Sequence, residues 1–258
     1  MSILSRLASA ATAAGLVLAG LALSGVAAPA AAQDKVRVLL DWFVNPDHAA
    51  LVIARERGFF AKQGLEVELI APADPNAPPK LVAAGQAEYA VSYQPTLQML
   101  VAEGLPLVRV GVLVAQPLNA LVALENGPVK TIADFKGRKI GYSIAGFEEA
   151  LLAAMLETAG LTIKDVTLVN VNFALTTALM SQQVDGVIGA FRNFELNDLA
   201  LHRAAGRLWP VEQYGVPTYD ELILVAGRDK LDVPRTKKLL AALAESTAWL
   251  KANGEEAW

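Results

Sequence analysis

The stretch at residues 41–48, "DWFVNPDH", gathers a tryptophan, an asparagine and one of the chain's two histidines. Three kinds of chemistry use such a set: a metal or catalytic site, a ligand-binding turn, or helix capping beside a buried aromatic. Metal ligation needs partners, and the other histidine, His202, has no HxxxH or HxH relation to His48, so no metal is expected. His48 falls in the first turn of the following helix, where the helix dipole disfavours an imidazolium, and a neutral ring is expected. Asn45 reads as an N-cap ahead of Pro46. Trp42 has two readings, closing the end of a core or stacking on a flat ligand; with Tyr93 and Phe191 at comparable strand ends, stacking is favoured.

A second set lies in "FRNFE", residues 191–195. Glu195 there could accept two hydrogen bonds from an amino-substituted heterocycle. It could equally be an acid complementing a helix N-terminus, and position alone leaves both readings open. Glu148 and Glu149, after "AGF", read as ordinary first-turn acids. Ser92 and Ser143 at strand ends fit donors to a ligand or helix caps better than nucleophiles. The sequence contains no GxSxG elbow, no GxGxxG turn and no GxxxxGK phosphate loop, so hydrolase, dinucleotide and P-loop chemistry are not indicated.

These residues need elements to hold them. Val36, Val38 and Leu40 alternate with Lys35 and Arg37, the two-residue period of a half-buried strand. Pro46 starts a helix that Gly64 closes, and Leu65, Val67 and Leu69 alternate as a second strand. Strand, helix, strand at this spacing makes a parallel βαβ unit. "NAPPKLVAAGQ" adds a short helix, "EYAVS" a strand and "TLQMLVAEG" a helix. After residue 116 the pattern recurs: strands at "RKIGYS", "VTLVNV" and "VDGVIGA" alternate with helices at "GFEEALLAAMLETAG" and "ALTTALMSQQ". Extended, proline-containing stretches at 114–124 and 214–226 flank this second copy and read as crossovers. The expectation is two α/β lobes, each a mostly parallel sheet flanked by helices: residues 33–116 with 220–258, and residues 117–219. The turns beyond the strands' carboxyl ends, which carry the two sets above, would line the cleft between them.

Composition narrows the class. Arg6 precedes an apolar run from Ala10 to Ala28, and "APAAAQ" carries the small-x-small pattern of signal-peptide cleavage, so residues 1–32 are expected to be an export signal cut after Ala32. With no cysteine the chain carries neither a disulfide nor a lipid-anchoring thiol. A net charge of -4 without long charge runs excludes the electrostatic footprint of a nucleic-acid binder. A periplasmic, monomeric protein without cofactor is expected. The sequence stops at "WLKANGEEAW" inside a helical pattern, which reads as a C-terminal truncation of the first lobe.

The segments "LDWFVNPDHAALVIARERGFFAKQGLEVEL", "PPKLVAAGQAEYAVSYQP", "QPLNALVAL", "DFKGRKIGYS", "VDGVIGAFRNFE" and "YGVPTYDELILVA" resemble, in that order, the bacterial substrate-binding proteins of ABC importers for thiamine pyrimidine precursors. The resemblance implies a type 2 periplasmic-binding-protein fold that closes by a hinge on a formylated or free aminopyrimidine and delivers it to an inner-membrane ABC permease. It implies a first wall of Trp42, Asn45, His48 and Tyr93, faced from the second lobe by Asn193 and Glu195. Ser92, Asn119, Ser143 and Phe191 complete the candidate ligand-binding set. Broader relatives bind riboflavin, sulfonates or nitrate, and the aromatic strand ends favour a flat ligand over a small anion. The family's eukaryotic relatives are pyridoxal-phosphate-dependent pyrimidine synthases, in which a lysine and a histidine act; this sequence has Ser92 and Thr96 at the matching places, which favours binding over synthesis.

Overall fold

The computed structural model describes residues 33–257; the expected export signal, 1–32, lies outside them. The strands are β1 (Asp34–Leu39), β2 (Leu65–Ile70), β3 (Tyr89–Ser92), β4 (Leu107–Val114), β5 (Asn119–Leu124), β6 (Lys139–Tyr142), β7 (Thr167–Asn170), β8 (Gly186–Phe191), β9 (Gly206–Pro210) and β10 (Leu222–Gly227). The helices used below are α1 (Ala49–Glu56), α2 (Phe59–Lys62), α3 (Pro78–Ala83), α4 (Gln94–Ala102), α5 (Phe147–Glu157), α6 (Leu175–Met180), α7 (Glu195–Leu201) and α8 (Val233–Ala252).

Two five-stranded sheets result, in the orders β2-β1-β3-β10-β4 and β7-β6-β8-β5-β9. In the first, β1 pairs in parallel with β2 and β3, while β10 runs antiparallel to β3 and β4. In the second, β6 pairs in parallel with β7 and β8, while β5 runs antiparallel to β8 and β9. Each sheet thus contains one reversed strand, and in each it is the first strand after the chain crosses from the other sheet. This is a two-lobed α/β fold. Alternation sets the buried faces: Val36, Val38, Leu65 and Val67 are buried while Lys35, Arg37, Glu66 and Glu68 are exposed.

Carboxylates tie the strand starts in the same way in both sheets. Glu88, just before β3, accepts the Arg37 backbone N–H at 2.7 Å and pairs with the Arg37 guanidinium at 3.2 Å. Asp185, just before β8, accepts the Lys139 backbone N–H at 3.0 Å and pairs with Arg138 at 3.1 Å. The long helix α8, capped by Asp232 on the Arg235 N–H at 2.9 Å, lies against α1: Ser246 Oγ donates to the Ala50 carbonyl at 2.7 Å and the Arg57 guanidinium sits 4.1 Å over the Trp249 ring.

Two features depart from the expected elements. The helix expected from Pro46 to Gly64 is divided into a 3-10 turn at Pro46–His48, α1 and α2. The break falls at Gly58, whose φ of 72° is left-handed and cannot continue a helix. Strands β4 and β9 were not expected as strands. Both end their sheets, and with one side unpaired they carry Arg109, Gly111, Arg207 and Pro210, which blur the two-residue pattern.

Candidate functional site

The carboxyl ends of β1, β3, β6 and β8 meet where the two lobes face each other. The turn after β1 folds as read: Asn45 Oδ1 accepts the Asp47 N–H at 2.9 Å, an N-cap on the 3-10 turn. His48 closes the cap from the other side, its Nδ1 accepting the Asn45 N–H at 3.3 Å. That bond leaves the ring proton on Nε2, which donates to Asp41 Oδ1 at 2.8 Å. The geometry is that of a neutral imidazole. Asp41 receives a second bond on Oδ2, from the Tyr93 hydroxyl at 2.8 Å, so one buried carboxylate joins the turn after β1 to the end of β3. Burial, followed by the Asp41 charge, raises the Tyr93 phenol well above its ordinary value.

The second lobe brings two more carboxyls. Glu195, first residue of α7, accepts the Phe191 N–H at 2.6 Å. Glu148 in α5 accepts the Ser143 N–H at 2.7 Å. Burial pushes each up to about 8, against the backbone N–H groups that favour the anion. Glu148 therefore overturns its reading as an ordinary first-turn acid: it is 3% exposed, whereas its neighbour Glu149 reaches back to the Gly146 N–H at 3.3 Å as a first-turn acid does. Glu148 lies against Gly189, whose φ of 97° and missing side chain leave the room; a Cβ there would collide with the carboxylate. A further carboxyl, Glu221, fastens both crossovers: its Oε2 accepts the N–H groups of Leu118 at 2.6 Å and Asn119 at 2.8 Å, and the Tyr219 hydroxyl at 3.0 Å. Burial pushes it up to about 7.

Two spaces open among these groups. A slot of about 20 Å³ is bounded by Trp42, Asn45, Tyr93, Asn119, Phe191 and Glu195, together with Asp41, Glu148, Leu175, Gly189 and Phe194. Beside it, sharing Asp41 and Tyr93, is a chamber of about 280 Å³ between α3, α4 and the Ile144–Gly146 loop of the second lobe. Ser92 Oγ and Thr96 Oγ1 line the chamber, buried and without a hydrogen-bond partner among the described residues. Lys80 and Glu103 also line it and are exposed to solvent.

Six of the ten candidate residues thus surround the slot, and Ser92 faces the chamber. The other three do not line either space. His48 is fully buried behind Asp41. Ser143 donates its hydroxyl to the Asn172 carbonyl. Asn193, exposed, donates to Asp47 Oδ1 at 2.6 Å across the two lobes. Asn76 makes a second tie between the lobes, donating to the Ser143 carbonyl at 3.1 Å and accepting the Ala145 N–H at 2.9 Å. The aromatic faces are engaged with protein: Tyr93 stacks on Phe147 at 5.2 Å, and Trp42 meets Phe173 edge-on at 4.7 Å within the second lobe's apolar cluster. The Trp42 indole Nε1 has no partner among the described residues. Arg192, the cation of "FRNFE", makes a two-pronged pair with Glu212 at 2.8 and 2.7 Å and is not among the slot residues.

Asp41, Glu148, Glu221 and the covering aromatics Phe147 and Phe173 were not among the sequence candidates. A signal existed for Asp41, a charged residue directly ending an apolar strand and followed by tryptophan. For the others, nothing local distinguishes them from a helix-start acid or a loop residue.

A family model described as "NMT1/THI5 like" matches residues 45–257. Over 230 residues the chain is 55% identical to a Haemophilus influenzae protein named "Putative thiamine biosynthesis protein", covering 89% of this chain and 73% of that one. It is 34% identical to the formylaminopyrimidine-binding protein of Halalkalibacterium halodurans, over 88% of this chain and 69% of the relative. It is 24% identical to a 4-amino-5-hydroxymethyl-2-methylpyrimidine phosphate synthase of Legionella pneumophila, over 88% and 72%. Among solved structures, the alkanesulfonate-binding protein SsuA of Xanthomonas axonopodis superposes with a TM-score of 0.71 at 17% identity, covering 88% of this chain and 76% of that one. The nitrate-binding protein NrtA of Synechocystis gives 0.68 at 19% identity, over 87% and 64%. At these identities the structural likeness concerns the fold, that of periplasmic substrate-binding proteins.

Proposed function

From the premise that the chain belongs to the NMT1/THI5-like family, we propose that it is the periplasmic substrate-binding component of an ABC importer and that its cargo is an aminopyrimidine precursor of thiamine. One observation carries the ligand class: aromatic side chains and fixed carboxyls share one slot between the lobes, with a free indole N–H among them. An aminopyrimidine has a flat apolar face, an amino group that donates and ring nitrogens that accept, so it answers all three. A sulfonate or nitrate carries a negative charge, and among the described residues no lysine or arginine lines the slot to pair with it. The neighbouring chamber with Ser92 and Thr96 gives room for a substituent on the ring.

The slot of about 20 Å³ is smaller than a pyrimidine ring, so the ligand enters as the lobes part. The contacts that yield are the bond from Asn193 to Asp47, the two bonds of Asn76, and the packing of Trp42 on Phe173. The crossovers near 116–120 and 214–219 act as the hinge, with Glu221 keeping them together through the motion. Residues 33–116 with 220–258 then form one moving body and 117–219 the other. His48 acts as a positioning residue, holding Asp41 rather than touching the ligand. The loaded protein delivers its cargo to the inner-membrane permease.

Binding rather than synthesis is supported by Ser92 and Thr96, since a hydroxyl cannot form an aldimine with pyridoxal phosphate. The test is mass spectrometry of small molecules carried through native purification, with thermal unfolding against 4-amino-5-hydroxymethyl-2-methylpyrimidine, its formylaminomethyl analogue, riboflavin and an alkanesulfonate. The expected result is a co-purifying aminopyrimidine and a rise in Tm with pyrimidines alone. A rise with the sulfonate or flavin instead would overturn the ligand class. An absorbance band of a pyridoxal aldimine on addition of pyridoxal phosphate would overturn the non-enzymatic reading.

A further inference from the structure

We propose that the slot holds its ligand as a cation, an aminopyrimidine protonated on a ring nitrogen, whose amidinium-like edge donates to the buried carboxylates while its other ring nitrogen accepts from Trp42 Nε1. The proposal rests on the aminopyrimidine reading above and goes beyond it by fixing the charge of the bound form.

The first observation is a charge imbalance. Asp41, Glu148 and Glu195 line one slot, each 3–6% exposed, and among the described residues no lysine or arginine lines it with them. Their hydrogen-bond partners are neutral, and the charged groups that act most strongly on Glu148 and Glu195 are acids. Asp41 is met by the neutral His48 ring and the Tyr93 hydroxyl. Glu148 is met by the Ser143 N–H and Glu195 by the Phe191 N–H. Asp47 and Asp198 add negative charge near Glu195, and Glu221 adds it near Glu148. Arg192 is committed to Glu212. Backbone dipoles solvate a carboxylate but supply no net charge, and several buried anions without a counter-charge are costly. The imbalance is met by protons on the carboxyls or by a positive ligand, and burial already holds protons on Glu148 and Glu195 near neutral pH. The acids do not form a metal site: among the described residues no group of three or more His, Cys, Asp or Glu is placed to hold an ion.

The second observation is independent of the acids. Trp42 is 7% exposed and lines the same slot with an unpartnered Nε1. An indole N–H can only donate, so it calls for an acceptor on the ligand. A metal ion or simple ammonium has no acceptor, and a sulfonate has no donor for the carboxylates. A heterocycle with a protonated nitrogen, an amino group and a second, unprotonated nitrogen has both.

The protons balance without an outside partner. A neutral aminopyrimidine enters, the O–H bond of one buried carboxyl breaks, and an N–H bond forms on the ring, so that a neutral pair becomes an ion pair inside the slot. Below about pH 8 the proton comes from the carboxyl; above it, from solvent, and binding weakens as pH rises.

The position of the proton is read by ¹⁵N NMR. The purified chain is loaded with 4-amino-5-hydroxymethyl-2-methylpyrimidine labelled at both ring nitrogens, at pH 7.5. The expected spectrum shows one nitrogen at the shift of the acid-titrated free compound and the other at the neutral shift, with Glu195→Gln moving the first back to neutral and weakening binding about 10- to 100-fold. Two neutral shifts in the wild-type complex would overturn the cationic form while leaving the pyrimidine reading intact. Failure of the compound to bind would overturn both. The wild-type spectrum decides the matter even if the variant does not fold.

Discussion

At one end of the sheets Glu88 meets Arg37 and Asp185 meets Arg138; at the other end Glu148 and Glu195 meet backbone N–H groups and the fields of neighbouring acids. The side-chain chemistry is the same and its state is opposite. Partial burial pushes Glu88 upward, but the hydrogen bonds from Arg37 overcome it and hold the carboxyl below its ordinary value. Full burial without a cation pushes Glu148 and Glu195 up to about 8. The starts of the strands use acids to fix register, where a partner is built in. The ends carry acids with no cation built in beside them, which burial keeps protonated near neutral pH, and that difference is what singles out this end as the candidate site.

The contrast can be broken most strongly at Gly189. Gly189→Ala puts a methyl group into the Glu148 carboxylate at a left-handed backbone position, and a loss of about 2–5 kcal/mol in urea unfolding is expected from overpacking and backbone strain together. Next, Glu195→Gln removes the capacity to become an anion but keeps the shape; pyrimidine affinity by calorimetry should fall about 10- to 100-fold, with the melting profile at pH 5 unchanged. An unchanged affinity would remove Glu195 from the site.

The third test sharpens the contrast through pH. Glu148, Glu195 and Glu221 have folded values of about 8, 8 and 7 against an ordinary 4.5. Between these limits the unfolded chain releases protons that the folded one keeps, so stability falls as pH rises from about 4.5 to 8, by about 1.4 kcal/mol per pH unit per group. Glu148→Gln should flatten the slope by that amount; denaturation curves from pH 5 to 8 with an unaltered slope would refute its buried-acid role. The smallest effect belongs to the other end. Glu88→Gln cuts a partly exposed pair and should cost no more than about 1 kcal/mol, appearing above pH 4.5 and fading below it, with ligand affinity unchanged.

Much of the architecture was legible because periodicity is local: "KVRVLL" and "LEVELI" announce strands by alternation alone, and Gly64 announces a helix end. The edge strands β4 and β9 were not, since half their pairing is missing and their sequences show it. In the site, the aromatic strand ends were legible as a group, yet Glu148 and Glu149 show where such reading stops. They are adjacent, identical and both in a helix's first turn. One step of helical rotation sends the first under Gly189 and the second back to its own cap. Similarly, His48 looked like chemistry by residue type, but the partner that defines its role, Asp41, is fixed by the fold of the turn, which no spacing rule reports.

The position of β10 has a consequence for how the molecule assembles. This strand sits between β3 and β4 in the first sheet, yet it is made after all five strands of the second. Until it arrives, β3 and β4 have no common neighbour and the first sheet is split, whereas the second sheet, from Asn119 to Pro210, is complete in one unbroken stretch. In a chain appearing amino end first, every strand of the later lobe is therefore present before the earlier lobe has its β10. Among the described residues, the strand that comes last in sequence is the keystone of the first sheet to begin.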